Sequence, residues 1–116
     1  MTDRYIEFRL YKLKPGMRDR FHEIALQAVE MLRRYKITVV GHGPSTHDAD
    51  SYFLMRAYPS LQAREMAVAA FYGSEEWATR FNDTVMGMIE SYNTIVLEAD
   101  DPAVTTIAKL ATQTGA

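Results

Sequence analysis

The sequence predicts an α+β fold built on one four-stranded sheet, and three observations support this prediction. Short segments of alternating or β-branched residues occur four times along the 116-residue chain. Two longer stretches of helical periodicity separate the first strand from the second and the third from the fourth. The length suits one domain around one core. We assign residues 1–100 to this domain and residues 101–116 to a C-terminal tail that either docks or is disordered.

The first strand is predicted at residues 5–13, where side chains alternate with the period of two that a strand requires. The apolar set is Ile6, Phe8 and Leu10, and the polar set is Glu7, Arg9 and Tyr11. Pro15-Gly16 ends this strand. Residues 17–35 then place an apolar stripe opposite a charged stripe, which predicts an amphipathic helix.

The second and third strands are predicted at residues 37–41 and 52–58. The first of these is a short β-branched run, Ile-Thr-Val-Val-Gly, of the kind favoured in strands. The stretch between the two strands, residues 43–51, is rich in turn-forming residues. Its length suits a hairpin.

A second helical region and a last strand complete the order. Ser60 is a good N-cap for the helix that follows Pro59, and Gly73 interrupts that helix. Ser74 can cap its continuation, whose apolar stripe runs to about Glu90. Residues 92–97 read as a strand. The order β-α-β-β-α-β predicts a ferredoxin-like arrangement, in which both helices cover one face of an antiparallel sheet.

The composition excludes several functional classes. Hydrophobic residues make up 47% and charged residues 24% of the chain, as in ordinary soluble globules, and a net charge of −2 offers no basic stripe for nucleic acid. The chain has no cysteine, which excludes disulfides, thiolate metal sites and a cysteine nucleophile. Charges stand near the N-terminus where a signal peptide needs an apolar run, and no apolar stretch approaches the ~20 residues of a membrane span. We therefore expect a cytoplasmic protein with no membrane or nucleic-acid partner.

No motif for a metal or cofactor is evident. The three histidines, His22, His42 and His47, lack the spacing of a metal site. The chain contains no GxGxxG, P-loop or GxSxG motif. We predict neither a metal nor a cofactor.

The second face of the sheet is expected to be covered by another copy of the chain. Two helices cover only one face, and the third strand carries bulky side chains on both, with Phe53 and Met55 on one side and Leu54 and Tyr58 on the other. A self-complementary partner is the commonest cover for such a surface. We predict a homodimer of stacked sheets with a ligand pocket beside each sheet.

Two segments resemble the signatures of NIPSNAP-family proteins. Residues 7–16, EFRLYKLKPG, are similar to that family's opening strand and Pro-Gly turn. Residues 58–65, YPSLQARE, followed by Phe71 and Trp77, are similar to its second signature, and Val40-Gly41 matches the strand between them. The resemblance covers about residues 5–100, although His42-Gly43 departs from the small polar or aromatic residue usual after Val-Gly. It implies a dimeric α+β barrel but no particular reaction, since the wider superfamily includes cofactor-free monooxygenases, haem-degrading enzymes and simple binders.

The candidate site is a polar set that we place on the sheet face away from the helices. Alternation puts the side chains of Glu7, Arg9 and Tyr11 on one face; by the same parity Thr38, Val40 and His42 share a face, as do Arg56 and Tyr58. An anionic or carbonyl-bearing ligand would be clamped by the arginines, with the tyrosines supplying hydroxyls and His42 acting as a general base. The predicted ligand-binding residues are Arg9, Tyr11, His42, Arg56, Tyr58 and Trp77.

A structural interpretation of the same residues stays open beside the functional one. Glu7 would then pair with Arg9 or Arg56 across strands, and the tyrosines would pack a dimer interface. Trp77 would fill the core, and Arg64 with Glu65 would form a solvent-facing helix pair or a loop-anchoring contact.

The sequence therefore favours a homodimer that binds a small organic molecule, and it leaves open whether the protein is an enzyme. An enzyme of this kind would perform cofactor-independent oxygenation or isomerisation. The alternatives are a non-catalytic interaction or scaffold module, and haem binding, for which His42 is the only reasonable axial ligand.

Overall fold

The computed structural model describes residues 3–100 together with residues 102, 105, 106 and 109. Within residues 3–100, four strands and four helices follow one another. They are β1 (Tyr5–Leu13), α1 (Arg18–Arg34), β2 (Thr38–Pro44), β3 (Ser51–Tyr58), α2 (Leu61–Tyr72), α3 (Glu75–Arg80), α4 (Asn82–Met88) and β4 (Ile89–Glu98). The predicted tail, residues 101–116, lies almost entirely outside the described residues.

The sheet has the order β2-β3-β1-β4, and every neighbouring pair of strands is antiparallel. The helices pack on one face, so the ferredoxin-like α+β arrangement predicted from the sequence is confirmed. β1 lies between β3 and β4 and is hydrogen-bonded to both. Its side chains therefore stand at the centre of whichever face they occupy.

The second helical region consists of three helices rather than one interrupted helix. Both predicted caps are present: the Ser60 hydroxyl accepts a hydrogen bond from the Ala63 amide (3.0 Å), and the Ser74 hydroxyl accepts one from the Trp77 amide (3.1 Å). Gly73 ends α2 where a Cβ would come within 2.7 Å of the Ala69 carbonyl oxygen. A further break at Phe81, at which φ is −126°, separates α3 from α4. β4 then follows α4 without a loop and begins three residues earlier than predicted.

The face assignment made from the sequence is wrong for β1. The polar set points towards the helices: Glu7 binds Arg64 of α2, and the Tyr11 ring lies 5.3 Å from the Phe21 ring of α1. Alternation reveals which side chains share a face but not which face meets the helices. The assignment failed because it assumed that the apolar set must be the covered one. Here charged side chains are buried under the helices because they neutralise one another.

A β-bulge moves His42 away from Val40. The pairing of β2 with β3 shifts between Val39 and Gly41, so Thr38 lies opposite Ala57 while His42 lies opposite Leu54. Val40 consequently packs on the face away from the helices, and His42 lies on the helix-covered face. The prediction that Thr38, Val40 and His42 share one face is therefore wrong.

The face of the sheet opposite the helices, which we call the open face, is mainly apolar. Ile6, Val40, Met55 and Ala57 form a small buried cluster there, with Phe8 and Phe53 packed against it. Towards β4 the side chains are exposed, with Leu10, Ile95 and Leu97 each at least half accessible to solvent. No helix within residues 3–100 is long and apolar enough to cross a membrane.

Candidate functional site

A buried carboxylate and two arginines form the centre of the site. Both oxygens of Glu7 are engaged: Oε1 accepts from Arg56 Nε, and Oε2 accepts from Arg64 Nε (2.8 Å) and from Arg64 Nη2. Tyr58 donates a longer bond to Oε1 (3.4 Å). Glu7 and Arg56 are fully buried, whereas the Arg64 side chain is one-quarter exposed. We call Glu7, Arg56, Tyr58 and Arg64 the Glu7 cluster.

The Glu7 cluster holds its carboxylate ionised. Burial alone would raise the pKa of Glu7, but the charges and hydrogen bonds of Arg56 and Arg64 outweigh burial and hold that pKa below 4.5. The pairing of Glu7 with Arg56 matches the structural interpretation considered from the sequence. Arg64 instead turns inward, so the predicted solvent-facing pair with Glu65 is wrong.

Arg9 stands beside this cluster without a counter-ion of its own. It forms no hydrogen bond or ion pair with any residue that the structure describes, and its Nε is buried without a partner. Three tyrosine rings surround its guanidinium, with centroids 4.9 Å (Tyr92), 5.6 Å (Tyr72) and 5.9 Å (Tyr11) from Cζ. Arg9 is therefore a cation held by aromatic faces, and it retains donors for an anion.

A cavity of about 300 Å³ lies next to Arg9, between the sheet and helices α2 to α4. We call it the Arg9 pocket. Trp77 and Asn82 line it, with the Trp77 indole N–H donating to Asn82 Oδ1 (3.2 Å). Burial, with Tyr72 nearby, raises the pKa of Tyr11 to about 12, so its hydroxyl is a neutral donor at physiological pH. The lining residues are Arg9, Tyr11, Val68, Tyr72, Trp77, Asn82, Val85, Met86, Ile89 and Tyr92.

His22 and His42 belong to a second cluster. The Tyr52 hydroxyl lies 2.7 Å from His22 Nδ1 and 2.8 Å from His42 Nδ1. Burial, followed by the neighbouring charges of His22 and Arg33, lowers the pKa of His42 below 6.5. His42 does not line the Arg9 pocket, so a role for it as a base towards a ligand bound there is not supported by the geometry.

The six predicted ligand-binding residues thus fall into three places. Arg9, Tyr11 and Trp77 meet in one pocket, Arg56 and Tyr58 belong to the adjoining Glu7 cluster, and His42 lies with Tyr52. Trp77 is also a core residue, 8% exposed, so it combines both interpretations considered for it.

Four polar or aromatic residues of the site lay outside the set predicted to form it: Arg64, Tyr72, Asn82 and Tyr92. A signal existed for Tyr72, because Arg64, Val68 and Tyr72 are spaced by four and share one face of α2. Tyr92 is placed beside Tyr11 by the pairing of β4 with β1, which the sequence does not specify.

The NIPSNAP family model matches residues 6–100 of the chain. The chain belongs to the NIPSNAP family. No curated protein matches the chain. The matched range contains every strand and helix described above apart from Tyr5, the first residue of β1, so the Glu7 cluster and the Arg9 pocket lie wholly within the family domain.

Solved structures agree with this membership at the level of the fold. A NIPSNAP family protein from Agrobacterium tumefaciens is 17% identical, with a TM-score of 0.75 over 84% of this chain and 86% of that one. A second protein from that organism, a NIPSNAP family protein of unknown function, is 19% identical, with a TM-score of 0.76 over 84% and 88% of the two chains. A Nitrosomonas europaea protein, for which an antibiotic biosynthesis monooxygenase function has been suggested, is 19% identical with a TM-score of 0.64 over 80% and 95%.

Proposed function

We propose that this NIPSNAP protein binds a small organic anion in the Arg9 pocket. The observation that carries the proposal is Arg9, a guanidinium that lines a pocket and has no hydrogen bond or ion pair within the described chain. Both oxygens of the nearby Glu7 already accept hydrogen bonds from Arg56 and Arg64, and Glu7 forms no ion pair with Arg9. Buried donors are normally satisfied, and an exception calls for a missing partner. A carboxylate matches the donors of a guanidinium with two parallel hydrogen bonds.

The remaining walls of the pocket favour a planar or aromatic body on that anion. Tyr72, Trp77 and Tyr92 offer ring faces and edges, while Val85 and Met86 add apolar surface. The volume of about 300 Å³ corresponds to roughly ten water molecules at about 30 Å³ each. Acids with about ten non-hydrogen atoms, such as phenylacetate, fit this space. If the bound molecule is enolisable, the same cation stabilises negative charge on an enolate.

The chain contains its own reporter for a binding experiment. Trp77 is the single tryptophan and lines the pocket, so its emission reports occupancy directly. Titration with phenylacetate should change that emission, and the neutral phenylacetamide should bind at least about tenfold more weakly, because a hydrogen bond to a charged group contributes about 1.5–3 kcal/mol.

Arg9→Leu should weaken phenylacetate binding by about tenfold to a hundredfold. Arg4→Leu is the matched control, because Arg4 lies on the neighbouring stretch of chain with its side chain largely exposed. Equal affinity for the acid and the amide, or an unaffected Arg9→Leu variant, would refute anion binding and leave the protein as an interaction module.

We also infer that a second copy of the chain covers the open face. The support is the row of exposed Leu10, Ile95 and Leu97 beside a buried apolar cluster on the same face, which is an unusual surface to leave in water. Leu97→Asp should convert a dimer to a monomer in light scattering, while Leu26→Asp on the exposed side of α1 should not. A wild-type protein of monomer mass at high micromolar concentration would rule the dimer out.

A further inference from the structure

We propose that the Tyr72 hydroxyl is the second recognition group of the Arg9 pocket, and that the pocket prefers carboxylates with an acceptor oxygen on the adjoining carbon, such as 2-oxo acids. This inference rests on the proposed anion binding and specifies the ligand class. Tyr72 was absent from the residues predicted from the sequence. It lines the pocket, and its ring also packs against both Arg9 and Arg56.

The hydrogen bonds of Tyr72 determine where its hydroxyl hydrogen can be donated. Arg56 Nη1 donates to the Tyr72 oxygen at 2.9 Å. Arginine has no acceptor, so the tyrosine cannot return its proton to Arg56. No residue that the structure describes accepts that proton. The hydroxyl therefore offers a donor that an acceptor oxygen in the adjoining pocket can use.

Three charges, two of them fully buried, fix the position of this hydroxyl. Arg56 is fully buried and held at Nε by Glu7, and Glu7 is held by two nitrogens of Arg64. Arg64 and Tyr72 stand about two turns apart on the same helix, so the chain of contacts starts and ends on α2. Arg56, Glu7 and Arg64 are positioning residues in this arrangement. In this chain of contacts only Tyr72 reaches the ligand, beside Arg9.

The shared pocket of the two recognition groups sets the ligand class. Arg9 and Tyr72 both line the Arg9 pocket, and the Arg9 guanidinium carbon lies 5.6 Å from the centroid of the Tyr72 ring, so one small molecule can contact both residues. Arg9 takes the carboxylate as the stronger, charge-assisted partner. The neutral hydroxyl is then left for an oxygen one carbon away. A site that donates to a ligand oxygen disfavours an analogue lacking it, because its buried donor stays unpaired.

A pair of acids that differ at one carbon tests the inference. Phenylacetate carries CH₂ where 2-oxo-2-phenylacetate carries C=O, and Trp77 emission reports the binding of each. The wild-type protein should bind the 2-oxo acid about fivefold more tightly, which corresponds to one neutral hydrogen bond. Tyr72→Phe should remove this preference by weakening the binding of the 2-oxo acid, so that the ratio of the two affinities falls to about one. Tyr35→Phe is the control, because Tyr35 packs edge-on against Phe71 and does not line the pocket.

A second variant tests the positioning residues. Arg64→Met keeps Tyr72 and Arg9 but removes the two hydrogen bonds to Glu7 Oε2. We therefore expect the preference for the 2-oxo acid to fall while phenylacetate still binds. Arg64→Lys should restore part of the preference. An unchanged preference in Arg64→Met would refute the positioning role.

The outcomes separate this inference from the proposed function. If Tyr72→Phe still prefers the 2-oxo acid, the inference about Tyr72 is overturned. The proposed anion site is upheld in that case as long as phenylacetate binds. Equal weakening of both acids by Tyr72→Phe also overturns it, since the hydroxyl would then bind the carboxylate. Failure of both acids to bind the folded wild-type protein overturns the anion site itself.

Discussion

Removal of the Glu7 charge is the sharpest test of the buried cluster. Glu7→Gln keeps the shape of the side chain but leaves Arg56 and Arg64 without an anion, and it turns amide hydrogens towards guanidinium hydrogens. Arg64 is one-quarter exposed and can turn to water, whereas Arg56 is fully buried and cannot. Breaking one partner of a buried pair costs about 3–5 kcal/mol. We expect a loss of that size in urea unfolding at neutral pH, a large part of the 5–15 kcal/mol typical of a domain.

A double-mutant cycle shows whether the loss arises from the stranded cation. Arg56→Met in the Glu7→Gln background removes that cation and should recover at least about 2 kcal/mol, because uncharged replacements of a whole buried pair are nearly neutral. Arg64→Met should cost only about 1 kcal/mol, since Arg64 is partly exposed and Glu7 keeps Arg56. A Glu7→Gln loss below about 1 kcal/mol, or strictly additive effects of the Glu7 and Arg56 substitutions, would refute the coupled buried pair.

The pH dependence of this loss has a definite sign. The pKa of Glu7 is lower in the folded protein than the value of 4.5 in the unfolded chain. Its stabilising contribution is therefore fully present above pH 4.5 and disappears as the pH falls through the folded pKa. The difference in unfolding free energy between wild type and Glu7→Gln should shrink on acidification below pH 4.5. A constant difference would contradict an ionised Glu7.

Three further variants can be compared by the same urea assay. The pKa of His42 in the folded protein lies below its ordinary 6.5, so the unfolded chain binds more protons and the free energy of unfolding falls as the pH drops below 6.5. His42→Gln should reduce this pH dependence. An unchanged pH dependence would mean that another group causes it. Lys36 has φ of 64° after α1, so Lys36→Gly should stabilise by about 1 kcal/mol while Lys36→Ala should not. Ser60→Ala should cost about 1 kcal/mol through loss of the α2 cap, and Gln62→Ala on the same turn serves as its control.

The elements were predictable wherever local signals mark their ends. β1 was placed correctly because strict alternation stops at Pro15-Gly16, and Ser60 and Ser74 cap helices as their hydroxyls suggested. The break at Phe81 escaped prediction because neither glycine nor proline marks it. The start of β4 at Ile89 escaped because Ile89 continues the apolar spacing of the preceding helix.

The site was only partly predictable because its partners are distant in sequence. Alternation grouped Glu7 with Arg9 and Tyr11 correctly, but the neutralising Arg64 stands 57 residues from Glu7. Nothing local shows that a helix supplies this charge. When Arg64 is not recognised as the partner of Glu7, the polar set is assigned to the exposed face, and the helices are placed on the wrong face of the sheet.

The arrangement of charges itself argues for a ligand rather than for stability alone. A buried ion pair is on average no more stabilising than a well-packed apolar replacement, so Glu7 and Arg56 need not be present to hold the fold. Arg9 adds to this cost, because its Nε, like Arg56 Nη2, is buried without a partner among the residues that the structure describes. Residues that break the rules of a good core are expected at functional sites. Three guanidinium groups around one carboxylate leave the interior short of negative charge, and the pocket beside Arg9 is where a second carboxylate would restore the balance.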